Sequence, residues 1–75
     1  MFVPGDSLVV IKPLKTRAYY PKNWKALGKV KFAAGAEAVC LGGGRYSIQH
    51  GPWRGNELGA ELSDAEAAEY LAKKN

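Results

Sequence analysis

The chain has to build its fold from only 75 residues, and this small size is its strongest constraint. A domain of this size buries only about 60% of the surface that its unfolded chain exposes, so its core is thin. Disulfides, metals or partner subunits often stabilise such domains. Cys40 is the only cysteine, and Cys40 with His50 cannot supply the four ligands of a structural zinc site. We therefore expect one domain over residues 1–75, or a homo-oligomer of it, without metal or cofactor.

Most of the chain has the pattern of short strands separated by turns. Residues 7–14 are rich in β-branched side chains, and their continuous apolar centre predicts burial on both faces. Lys29-Val30-Lys31-Phe32 alternates, which predicts that Val30 and Phe32 point inward. Tyr46 and Ile48 are predicted to share one face, after a hairpin turn at residues 42–44. Five strands are expected, at residues 7–14, 25–33, 37–41, 46–49 and 53–58.

Residues 15–23 are polar, aromatic and interrupted by Pro21, and we expect them to form a loop. The residues after 62 predict a helix over residues 62–74. Ser63 and Glu66 have the spacing of a capping box. Glu69 and Lys73 are predicted to pair on the helix, with Lys73 and Lys74 near its negative end.

These elements predict a mainly β fold. We expect a small SH3-like five-stranded barrel over residues 1–60 with a short C-terminal α-helix. A two-layer α+β arrangement is the alternative.

Two segments resemble the KOW type of SH3-like barrel. Residues 5–12, Gly-Asp-Ser-Leu-Val-Val-Ile-Lys, are followed by Leu-Gly-Lys-Val at residues 27–30. The resemblance covers about half the chain, and it implies a barrel that contacts RNA, DNA or RNA polymerase. Residues 13–26 are longer than the usual KOW loop, so no contact residue is carried over from the family.

Positive charge is concentrated in the first half of the chain. Residues 1–36 contain seven cationic side chains and one acid, a net charge of +6, whereas residues 37–75 contain four cations and six acids, a net charge of −2. No acid lies between Asp6 and Glu37. Phosphates bind clustered cations, and exposed aromatic rings stack on unpaired bases. The candidate binding residues are Lys15, Arg17, Tyr19, Tyr20, Lys22, Trp24, Lys25, Lys29, Lys31, Arg45, Trp53 and Arg54.

Each of these signals has a second interpretation. The aromatic side chains around residue 20 could fill one end of a thin barrel, and the tryptophan of the Trp53-Arg54 pair could cover the core. Residues 42–45 lack the spacing of a phosphate-binding P-loop and fit a hairpin turn better. Cys40 lies in an apolar strand, where cysteines are usually inert, so Cys40 and His50 do not predict catalysis.

We expect a small, non-enzymatic binding module whose basic face contacts nucleic acid or a nucleoprotein complex. The alternative is a protein-binding accessory factor or inhibitor, such as a phage or mobile-element product that acts on a host enzyme. An acidic surface on a partner protein would satisfy the basic residues as nucleic acid would. The sequence shows no membrane-spanning stretch and no signal peptide, which predicts a cytoplasmic protein without a membrane partner.

Overall fold

The described strands join one antiparallel sheet. A computed structural model describes residues 2–51 and 56–74 of the protein, and mainly β structure is confirmed. The elements are β1 (Ser7–Val10), β2 (Leu14–Tyr19), β3 (Ala26–Phe32), β4 (Glu37–Gly42), β5 (Arg45–Gln49), β6 (Glu57–Glu61), α1 (Asp64–Tyr70) and β7 (Leu71–Lys73). The sheet order is β3-β2-β6-β5-β4-β1-β7, and α1 lies between β6 and β7 in the sequence.

Alternating side chains build the core on one face of this sheet. Phe32, Leu8, Ile48 and Val10 are the largest fully buried side chains. Tyr46 and Ile48 are both buried, so the predicted inward face of β5 is confirmed. In β3, Phe32 is buried and Val30 packs against the core, while Lys29 and Lys31 are exposed, again as predicted.

β1 is shorter and more exposed than its apolar sequence predicts. It ends at Val10, and its residues alternate between exposed or half-buried and buried positions. Ile11, just beyond it, is 51% exposed. The prediction that residues 7–14 form a strand buried on both faces was therefore wrong, because the thin core covers only one face of the strand.

The loop predicted at residues 15–23 was also wrong, because its first half is strand β2. Leu14 and Ala18 of β2 are buried and Thr16 is half-buried, whereas Lys15 and Arg17 are exposed. Alternation is present, but only one of the three inward positions carries a large apolar side chain. The segment is a strand because it pairs with β3 at six positions. Its weak apolar pattern does not predict this pairing.

The C-terminal helix begins as predicted and ends early. Ser63 caps it, with its hydroxyl accepting from the amide of Glu66 and the Glu66 carboxylate accepting from the amide of Ser63, so the capping box is confirmed. Leu71 turns to extended backbone and pairs with Val10 of β1. A helix over residues 62–74 was therefore wrong, because pairing with β1 replaces its last turns.

The terminal lysines consequently leave the helix and find other acids. Lys73 lies 3.7 Å from Asp6, and Lys74 pairs with Glu37. Glu69 instead accepts from Lys12 Nζ at 2.8 Å, and this hydrogen bond raises the pKa of Lys12. The predicted Glu69–Lys73 pair and the placement of both lysines at the helix end were therefore wrong. None of the helices in residues 2–51 and 56–74 has the length and apolarity that crossing a membrane requires.

Replacing Ser63 tests the contribution of the helix to the fold. Ser63→Ala leaves the Glu66 amide without its side-chain acceptor, and we expect the free energy of unfolding to fall by about 1 kcal/mol. Urea unfolding followed by circular dichroism measures this change. Ser7→Ala removes an exposed hydroxyl from β1 and is the matched control. An equal loss in both variants would contradict the stabilising role of the cap.

Candidate functional site

The candidate site begins with four cations that face one another across the hairpin of β2 and β3. The strand register places Lys15 opposite Lys31 and Arg17 opposite Lys29. All four side chains are exposed. Directly opposed Cβ atoms of an antiparallel pair lie about 5 Å apart, and successive outward residues of one strand lie about 6.7 Å apart. The four side chains, called the basic ladder below, therefore form one compact rectangle of positive charge.

The basic ladder is not neutralised by the described residues. Their ion pairs involve Lys12, Arg45, Lys73 and Lys74, and none involves a ladder residue. Like charges placed directly opposite one another destabilise a sheet. The hairpin therefore carries two adjacent repulsive pairs at a cost to its own stability.

Protection of a sheet edge does not account for this arrangement. β3 is an edge strand, and lysines on edge strands do discourage pairing with other chains. An acid opposite each lysine would keep charge on the edge and would attract instead of repelling. The need for charge on an edge strand therefore does not explain why cations face cations here.

An aromatic stack lies beyond the ladder on the same face. Tyr19 follows Lys15 and Arg17 in the outward alternation of β2 and stacks on Trp24, with ring centroids 5.2 Å apart and planes within 7°. The guanidinium carbon of Arg45 lies 4.9 Å from the centroid of a Trp24 ring. Arg45 Nε also lies 3.8 Å from Glu61. Tyr19, Trp24 and Arg45, called the aromatic stack below, join the β2–β3 hairpin to β5.

Gly59 makes this arrangement possible. A Cβ atom built on Gly59 would lie only 2.4 Å from two atoms of the Trp24 ring, so the indole rests directly on the backbone of β6. Trp24 adopts a left-handed backbone with φ of 56°, which is unusual for a large side chain. Within the described residues, its buried Nε1 has no hydrogen-bond acceptor. Both costs are offset by the contacts of the indole with Tyr19, Gly59 and Arg45.

The turn between β2 and β3 is fixed by hydrogen bonds. The amide of Tyr20 donates to the carbonyl of Lys25 at 2.9 Å, and the amide of Trp24 donates to the carbonyl of Tyr20 at 2.8 Å. Asn23 Oδ1 accepts from the amide of Lys25 at 3.0 Å. Lys22 and Lys25 are exposed, and the Tyr20 side chain is 50% exposed. The turn therefore presents two further cations and an accessible ring beside the aromatic stack.

The structure brings most of the predicted binding residues onto one surface, with one difference of role. Trp24 is half-buried and held within the protein, so it is neither a core residue nor a free stacking platform. Tyr20 is the more accessible ring. Trp53 and Arg54 lie outside the described residues. Sequence analysis missed Gly59, although an isolated glycine inside a strand is a signal of close approach by another group.

Cys40 and His50, the two residues considered for catalysis, are both packed against other side chains. Cys40 is buried as a free thiol, and the His50 ring packs edge-on against Phe32 with centroids 5.8 Å apart. Among residues 2–51 and 56–74, no group of three or more histidine, cysteine, aspartate or glutamate side chains is arranged to hold a metal ion.

Comparison of the chain with protein-family models, with curated proteins and with solved structures gives no match. The functional argument therefore starts from the chemistry of the site.

Filling the space above Gly59 tests the aromatic stack. In a Trp53→Phe background, where Trp24 is the only tryptophan, Gly59→Ala should displace the indole from β6. We expect a red shift of its emission because the ring becomes hydrated, together with a loss of stability. Ser47→Ala changes the residue directly opposite Gly59 on β5 and is the control. Unchanged emission in Gly59→Ala would contradict this packing.

Reversing one charge tests the repulsion within the ladder. Lys29→Glu turns the repulsive pair with Arg17 into an attractive one, and we expect the free energy of unfolding to rise by up to about 1 kcal/mol. The double variant Arg17→Glu/Lys29→Glu restores repulsion and should lose this gain. Thermal unfolding at low salt measures both. A single variant no more stable than the native protein would contradict the predicted repulsion.

Proposed function

We propose that this protein is a non-enzymatic module that binds nucleic acid through the basic ladder. The two repulsive cation pairs are the observation that carries this proposal, because phosphates would relieve the repulsion that the protein itself leaves in place. Lys22 and Lys25 extend the positive surface around the turn. Arg45 contributes through the aromatic stack, where its charge is already shared with Glu61 and Trp24.

The KOW type of SH3-like barrel belongs to the same proposal. A single antiparallel sheet of short strands supports it, and so does the outward position of Lys29 within the segment of residues 27–30 that carries the resemblance. Under this proposal the long insertion between the two resembling segments is the binding element. It forms strand β2, which carries Lys15 and Arg17, and the turn that follows, where Tyr20 is half exposed.

The charge pattern also favours one face of the protein for contact with a nucleic acid. Lys12, Lys73 and Lys74 are paired with Glu69, Asp6 and Glu37, so the side of the protein around β1, β7 and the helix offers little free positive charge. A polyanion is attracted to the hairpin and gains little at that opposite side. The proposal therefore includes a single binding face.

A salt titration of the binding constant tests the proposal. Fluorescence anisotropy with labelled single-stranded and duplex DNA should give binding that weakens linearly in a plot of log K against log salt. The slope is negative, and each phosphate contact contributes about 0.7 to its magnitude for single strands and about 0.9 for duplex DNA. Lys29→Gln should therefore reduce the slope by about one such step.

The matched control is Lys73→Gln, which removes the same charge from the opposite edge of the sheet and should leave the slope unchanged. Equal effects of the two variants would show attraction by net charge and would contradict a ladder site. No binding to either form of DNA at low salt would overturn the proposal in favour of an acidic protein partner.

A further inference from the structure

A shallow hollow lies beside the turn between β2 and β3, at the start of β6. Its volume is about 310 Å³, at the small end of the range for ligand pockets. It is lined by Tyr20, Pro21, His50, Asn56, Glu57 and Leu58. The nucleic acid proposed above would pass from the ladder to this hollow along β2, because Tyr20 directly follows the last residue of that strand.

The backbone of Tyr20 is held in place within the turn. Its backbone amide and carbonyl are both held by hydrogen bonds within the turn, yet half of the side chain is exposed. An accessible ring on an ordered backbone can stack on a base with a smaller ordering cost than a ring on a mobile loop. The wall made by Pro21 and Leu58 is apolar and suits the flat face or edge of a base.

The polar side of the hollow is held equally firmly. The amide of His50 donates to the carbonyl of Asn56 at 2.7 Å, which ties the end of β5 to the residue before β6. Glu57 follows directly, opposite Gln49 in the register, and it is exposed. Among the described residues, the ion pairs do not include Glu57. Its carboxylate is therefore available to a ligand.

The negative charge of Glu57 limits which part of a nucleic acid it can contact. A carboxylate would repel a phosphate, so Glu57 is suited to base recognition and not to the backbone of the strand. An ionised carboxylate has only acceptors, and it matches a group with two adjacent N–H donors. Among the four bases, guanine presents this pattern, from N1 and N2 on its pairing edge. That edge is free only when the base is unpaired.

We infer that the hollow binds one unpaired guanine of a single strand, with its ring stacked on Tyr20 and its pairing edge donating to Glu57. This inference rests on the proposed function, and it adds that the protein prefers single strands and reads one base. Duplex DNA would engage the basic ladder alone.

Single-base probes test this inference. Anisotropy is measured with labelled 12-nucleotide strands of thymidine that carry one central dG, one central dA or no replacement, and with a duplex of the dG strand. We expect the dG strand to bind about tenfold more tightly than the other two strands and the duplex. A tenfold preference corresponds to one good base contact.

Three variants separate the parts of the hollow. Glu57→Gln should remove the preference for dG while leaving binding to the all-thymidine strand unchanged or stronger, because a negative charge is lost. Asp64→Asn makes the same charge change on the helix and should keep the preference. Tyr20→Ala should weaken binding to the dG strand about tenfold, and Tyr20→Phe should preserve it, since the phenyl ring still stacks.

The results distinguish this inference from the proposed function. Equal binding of the dG, dA and thymidine strands, with loss of binding in ladder variants, would overturn the guanine site and leave the proposed function standing. Retention of the dG preference in Glu57→Gln would also overturn it. Absence of binding to every probe at low salt would overturn both.

Discussion

Burial of one face of the β2–β3 hairpin is the constraint on which the proposed binding surface depends. Leu14, Ala18 and Phe32 are removed from water, and the period of two along each strand then forces the residues between them outward. Because the register pairs Leu14 with Phe32, the cations of the two strands must also meet in pairs. A shift of one residue in this register would turn the lysines toward the core, so the apolar contacts that hold the hairpin also fix the geometry of its charge.

The cations of the described residues differ in whether they form ion pairs. Lys12, Lys73 and Lys74 secure the N-terminal strand, the helix and β7 to acids that are distant in sequence. Exposed pairs of this kind contribute little each, since solvent and salt screen them. The ladder cations have no such acids among the described residues and instead face one another. The like charges that face one another across the hairpin lower its stability.

Sequence patterns were sufficient to predict the strands where the apolar residues were large and regularly spaced. β3, β4 and β5 follow from clear alternation and from the glycine turn between residues 42 and 44, and the start of α1 follows from the local chemistry of Ser63 and Glu66. β2 was missed because Thr16 and Ala18 are weak markers of an inward face. The end of the helix was missed because it is decided by pairing of Leu71 with Val10, and such contacts between distant segments leave no local signal.

In the candidate site, too, contacts between distant segments leave no local signal in the sequence. Its residue types were predicted from charge and aromatic content, but the roles of Tyr19, Tyr20 and Trp24 depend on the backbone of β6. Because Gly59 has no side chain, the indole of Trp24 contacts the backbone of β6 directly. Tyr19 is then occupied by stacking on Trp24, whereas Tyr20 remains half exposed beside Glu57. From Lys15 to Tyr20 the chain extends about 17 Å, since each strand residue advances about 3.3 Å. β2 thus carries Lys15 and Arg17 on its outward side, and Tyr20 directly follows its last residue. Under the proposed function, the two cations attract phosphates and the ring of Tyr20 stacks on a base.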